Sequence, residues 1–141
     1  MDPGLQGASA AIEAHYGPRL LGAVLFGSRA GCRPRIDSDW DLLLVLVPKE
    51  LIRRTLYREW DEQVAPGIET HLRGVAPHFV HLPARDDPPS SLWLEVCTTH
   101  EILHDPSERL ATHLRMVQAL VDAGRFERRS VHGVPYWRSV G

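Results

Sequence analysis

Two short apolar runs with a polar segment between them constrain this chain more than any other feature of it. They lie within LLGAVLFGSRAGCRPRIDSDWDLLLVLV, which occupies residues 20–47. Residues 20–26 are apolar and are halted by Gly27; residues 42–47 form a dense Leu/Val run halted by Pro48. Both have the length and the flanking breakers of buried strands. Whatever lies between them is therefore carried at one end of a sheet. Asp39 and Asp41 are two residues apart, and side chains alternate along an extended backbone, so both carboxylates face one side and Trp40 faces the other. Two acceptor-only groups side by side repel one another unless a cation intervenes, and hard oxygen ligands suit Mg²⁺.

Gly27 and Ser28 sit where the first run ends. A residue without a Cβ admits a ligand close to the backbone, and the Ser28 hydroxyl offers a hydrogen bond. A helical turn after Ser28 would aim free N–H groups at an anion, and Arg29 would supply a guanidinium fork for phosphate. The two halves describe a clamp for a metal-bound nucleotide: Gly27, Ser28 and Arg29 on the phosphates, Asp39 and Asp41 on the metal.

Length and composition set the frame. A chain of 141 residues is one domain by size and buries a substantial core without disulfides or a structural metal. Sixteen basic and eighteen acidic residues give a formal charge of −2, so no global field draws the protein to nucleic acid or to an anionic membrane. Lys49 is the only lysine, which is read as genomic composition bias. Two cysteines, Cys32 and Cys97, make no disulfide framework and fit a reducing compartment. The start, MDPGLQGASA, has neither a basic nor an apolar region of a signal peptide, and no run approaches the roughly 20 apolar residues of a membrane helix. The expected location is the cytoplasm.

Along the chain, residues 4–16 read as a helix burying Leu5, Ala8, Ile12 and Tyr16. Residues 49–64 read as a second, with Ile52, Leu56, Trp60 and Val64 on one stripe and Pro66-Gly67 as its stop. Residues 68–83 are expected to form two short extended pieces, because Pro77 argues against one continuous strand. Residues 92–97 fit a short helix or a strand, and 101–104 a strand. Residues 106–123 have a helical stripe of Leu110, Leu114, Val117 and Val121, with Asp105 as cap and Gly124 as stop. The tail, about residues 125–140, reads as a hairpin turning at His132-Gly133. The fold expected is α/β, α+β in detail: a small mixed sheet with helices packed largely on one side and the cleft at the end of the first two strands.

At GSRAGCRPRIDSDWDLLLV the chain resembles the polymerase-beta-type nucleotidyltransferase superfamily, whose signature is Gly-Ser, about ten residues, then Asp-x-Asp. Gly27, Ser28, Asp39 and Asp41 fall on the signature positions. The short length is most similar to the minimal nucleotidyltransferases that serve as antitoxin partners of HEPN-type toxins. The resemblance implies transfer of a nucleoside monophosphate from an NTP, ATP being the first choice, to an acceptor hydroxyl with a two-Mg²⁺ site. For minimal members it implies an acceptor on a toxin partner. A homo-oligomer is a further option. Catalytic members of the superfamily carry a third carboxylate on a later strand, and no apolar-Asp-apolar triplet occurs here. Glu69 in IETHLRG is the best candidate, ahead of Glu95. A chain lacking that ligand would bind nucleotide without chemistry, so the alternative is a degenerate binding module acting as an antitoxin by contact. Nucleotidylation of a small-molecule drug would need an added acceptor domain, for which the chain leaves no room.

Asp37 reads as an exposed loop residue, Arg33 and Arg35 as loop charges. Cys97, His100 and His104 have C-x2-H-x3-H spacing, which on one helical face would suit zinc, although 101–104 reads better as a strand. His78 and His81 read as edge or surface residues near the expected third acid. The tail's Arg125, Arg128, Arg129 and Arg138, interleaved with Tyr136 and Trp137, read as a packed hairpin that can meet a protein partner.

Overall fold

In the computed structural model, which describes residues 1–31 and 38–140, four strands form a mixed sheet and helices cover both of its faces. The strands are β1 (Leu20–Phe26), β2 (Trp40–Leu46), β3 (Val75–Val80) and β4 (His100–His104), in the order β3-β2-β1-β4. β1 runs antiparallel to both β2 and β4, and β2 parallel to β3. The expected mixed sheet is present. Its helices, however, divide between the two faces instead of gathering largely on one.

The division follows from the strand sequences. Leu42, Leu43, Leu44, Val45 and Leu46 are all fully buried, and a strand apolar at every position has no face to give to water. Leu42, Leu44 and Leu46 pack with α1 (Pro3–Tyr16), α2 (Arg54–Glu59) and α3 (Ala65–Ile68). Leu43 and Val45 pack with Val24, Phe26 and residues of α4 (Ser91–Thr98) and α5 (Arg109–Asp122). The four expected positions of α1, Leu5, Ala8, Ile12 and Tyr16, are buried, and Asp2 caps it by accepting from Leu5 N at 3.1 Å.

Three segments depart from the sequence expectation. The second helix starts at Arg54, leaving Ile52 exposed, and continues through Pro66-Gly67 to Ile68 by way of a π-helical turn at Trp60–Val64. A proline inside an α-helix lacks a donor and crowds the carbonyl four residues back; the wider π turn upstream accommodates it. Residues 69–71 form a turn after α3, with Ile68 and Leu72 buried against α1, so no strand forms there. β3 instead runs through Pro77 as one strand. It is an edge strand, and its outward amides alternate; Phe79 N donates to Tyr57 Oη at 3.3 Å on that outer side, the side on which Pro77 needs no donor.

Residues 92–97 are helical, in α4, with Ser90 accepting from Trp93 N. α5 begins at Arg109, and Asp105 accepts from Leu110 N and Ala111 N from outside the helix. β5 (Phe126–Val131) and β6 (Val134–Ser139) pair as a separate antiparallel hairpin whose turn, His132-Gly133, has φ of 52° and 79°. Its inner face docks on α4: Trp137 Nε1 and Arg128 Nε donate to Glu95 Oε1 at 2.8 and 3.0 Å. Among the described residues no helix is long and apolar enough to cross a membrane.

Candidate functional site

β1 and β2 are antiparallel neighbours, so the end of one lies beside the start of the other: Phe26 pairs with Asp41. Asp41 is the second residue of β2 and Asp39 immediately precedes the strand. Alternation puts Asp41 on the face of Phe26 and Leu43, while Trp40 packs toward the opposite core. Gly27 follows directly with φ 78°, and a Cβ built on it would stand 2.7 Å from Asp41 Oδ2. Only glycine permits both this backbone and this approach. Ser28 starts a single 3₁₀ turn (Ser28–Ala30) and shares a hydrogen bond of 2.6 Å with the Ser38 hydroxyl. Arg29 Nε donates to the Ser38 carbonyl at 3.0 Å, and its guanidinium lies 4.7 Å over the Trp40 ring. Gly27, Ser28, Arg29, Asp39 and Asp41 thus lie along one rim of the sheet. Arg29 and Ser28 tie the turn after β1 to the entry of β2.

Glu69 does not join them. It lies exposed in the turn after α3, a segment anchored to α1 by Ile68 and Leu72. Glu95 is engaged by the hairpin instead. β3, the strand beside β2, reads VAPHFV and carries no carboxylate. Its contribution to the rim is His78, whose Nε2 lies 3.2 Å from Asp41 Oδ1 and whose ring meets Phe26 edge-on at 5.2 Å. His78 reads from sequence as an edge residue; its place beside Asp41 depends on the parallel register of β2 and β3, in which Leu43 pairs with His78. His81 is elsewhere, against the Glu50 carbonyl at 2.6 Å.

The C-x2-H-x3-H group does not converge. Cys97 is buried in α4 with its thiol donating to Gln118 Oε1 at 3.1 Å, His100 Nδ1 contacts the Val96 carbonyl, and His104 Nδ1 contacts Glu13. Burial pushes the Cys97 thiol up, away from the thiolate a metal needs. Among the described residues no group of three His, Cys, Asp or Glu side chains is placed to hold a metal. Asp39 and Asp41 are the carboxylates at the rim, and Asp41 Oδ2 faces the space that the missing Cβ of Gly27 leaves open. Cys32, Arg33, Arg35 and Asp37 lie outside the described residues.

Three solved structures share this architecture. One is a toxin-antitoxin structure with AMP-PNP, at TM-score 0.55 and 16% identity over 85% of this chain and 89% of that one. The second is the toxin-antitoxin MntA-HpeT carrying two Asp→Glu changes two residues apart, at TM-score 0.55 and 14% identity over 85% and 89%. What is shared is the fold, a four-stranded mixed sheet with helices. A third, another MntA-HpeT mutant, aligns at TM-score 0.52 and 16% identity over 82% of this chain and 85% of that one. No protein-family model and no curated protein matches the sequence. At these identities the likeness speaks for the fold alone.

Proposed function

We propose that this protein is the nucleotidyltransferase-like member of a toxin-antitoxin pair, binding ATP with Mg²⁺ and transferring AMP to a hydroxyl of a HEPN-type toxin partner. The observation that carries it is the juxtaposition of Gly27 and Asp41, a glycine in a left-handed conformation held open against a carboxylate at the end of two buried strands. The fold neighbours support the reading, since one contains AMP-PNP and another has paired aspartates altered.

Asp39 and Asp41 would hold Mg²⁺, which when bound neutralises the phosphates and the leaving pyrophosphate. Gly27 admits the phosphates close to the backbone, and Ser28 donates its hydroxyl to a phosphate oxygen after leaving Ser38. In the transfer the acceptor oxygen forms a bond to the α-phosphorus. The bond from that phosphorus to the bridging oxygen breaks, and pyrophosphate leaves. The hydroxyl proton passes to the Asp41–His78 pair and on to water. His78 stands where the adjacent strand meets Asp41, and orients that carboxylate through its Nε2 contact.

A second reading rests on β3 itself. With His78 and no carboxylate on that strand, the chain would bind nucleotide and neutralise its toxin by contact. Two assays separate the readings. A thermal shift with ATP and Mg²⁺, absent in Asp39→Ala plus Asp41→Ala, tests binding, because a ligand selective for the folded state must stabilise it. No metal-dependent shift in the wild type sinks both readings. Incubation with α-labelled ATP and the protein encoded next to this one tests chemistry. Label on the partner supports transfer, and a tight unlabelled complex supports neutralisation by contact. Loss of label in His78→Ala with an unchanged ATP shift would place His78 in the transfer step. Glu69→Gln is expected to leave both unchanged.

A further inference from the structure

Asp41 and Leu46 are five residues apart on β2, about 17 Å along a strand. At the Leu46 end, away from the candidate site, the loop after β3 and the first turns of α5 enclose a hollow of about 640 Å³. That volume falls within the roughly 300–1,000 Å³ of small-molecule sites. Its walls are chiefly apolar, with Leu21, Leu46, Leu82 and Met116 among them, and Arg85, Arg109 and Thr112 bring the polar groups.

The charge at this hollow is not neutralised from within. Arg85 and Arg109 make no ion pair with any described residue. His113 adds a polar but uncharged wall. It is nine-tenths buried, packs edge-on to Trp93 at 4.6 Å, and burial pushes its imidazole down toward the neutral form. Its Nε2 has no hydrogen-bond partner, a cost that a fully satisfied interior avoids. Two unpaired guanidiniums over an apolar hollow match a ligand with an anionic head and an apolar body.

We propose that this hollow is a second ligand site, for a small amphipathic anion whose head is forked by Arg85 and Arg109 and whose body lies against Leu21, Leu46, Leu82 and Met116. The site is separate from the Asp39–Asp41 rim and does not depend on the nucleotide reading.

The test uses anilinonaphthalene sulfonate, a fluorescent apolar anion, on the folded full chain. Decanoate and decyl phosphate serve as competitors that differ in head group, and decanol is the uncharged control. The expected result is displacement by at least one of the two anions, with decanol about tenfold weaker or worse, the least that one lost charge-assisted hydrogen bond implies. The stronger competitor identifies the head group. Arg85→Gln plus Arg109→Gln should weaken probe and anion by about tenfold or more at an unchanged urea midpoint. Met116→Trp, which fills the hollow, should abolish binding. Equal displacement by decanol, no displacement by either anion, or unchanged binding in the double Arg variant overturns the proposal. The decanol comparison needs no variant, so it decides even if a substitution prevents folding.

Discussion

Glu59 offers the most quantitative test of how the helical layer is held to the sheet. Arg19, in the turn before β1, donates Nη1 to Glu59 Oε2 at 2.8 Å and Nη2 to Oε1 at 3.0 Å, a two-point fork between that turn and α2. His15 Nε2 of α1 lies 2.7 Å from the same Oε2, and Arg19 Nε lies 3.2 Å from Glu50. The Arg19 fork, opposed by burial and aided by His15, lowers the Glu59 carboxyl from 4.5 to about 2. At about 1.4 kcal/mol per unit this corresponds to roughly 3 kcal/mol favouring the folded state. The raised Arg19 pKa is the same interaction seen from the other partner and adds nothing further. Partial exposure of both side chains lets water screen the pair, so a measured value of about 1–2 kcal/mol is expected. Because the folded pKa lies below the unfolded one, the contribution is complete above about pH 5, is lost as pH falls through 4.5 toward 2, and is more than half gone by about pH 3. Urea unfolding of wild type and Glu59→Gln should therefore differ by about 1–2 kcal/mol near neutral pH, narrowing by more than half at about pH 3. A difference that stays constant with pH, or that is absent at neutral pH, refutes the reasoning.

Gly27→Ala forces a Cβ into a left-handed backbone and against Asp41 Oδ2; it should cost about 1–2 kcal/mol in urea unfolding and diminish the ATP–Mg²⁺ thermal shift. Leu44→Ala, at a fully buried position in the centre of β2, should cost about 3 kcal/mol in the same unfolding assay. In a Cys32→Ser background, the Cys97 thiol, buried and pushed up in pKa, should react with a thiol reagent only slowly until urea unfolds the chain. Rapid native-state labelling would contradict its burial.

Much of the rim is legible from local pattern because it depends on residues near one another in the chain. The breakers Gly27 and Pro48 bound two apolar runs, and alternation alone separates Asp41 from Trp40. The close approach of Gly27 to Asp41 follows once the two strands are paired antiparallel. The unbroken run of residues 42–46 also carries the information that both faces of the sheet are covered, since a strand exposed on one side would alternate. The expectation of helices largely on one side gave that run too little weight.

By itself, then, the sequence determined two buried strands, a glycine at the end of the first and a carboxylate on either side of Trp40 at the entry of the second, all from short-range alternation and steric rules. The tertiary structure decided which residue completes the rim. Ile68 and Leu72 are drawn against α1, which takes Glu69 out of any strand, while the parallel pairing of β3 with β2 brings His78 to Asp41. It likewise decided the hollow between the loop after β3 and α5, whose walls come from residues 21 to 116. Such placements rest on which distant segments bury one another, and no local periodicity encodes that choice.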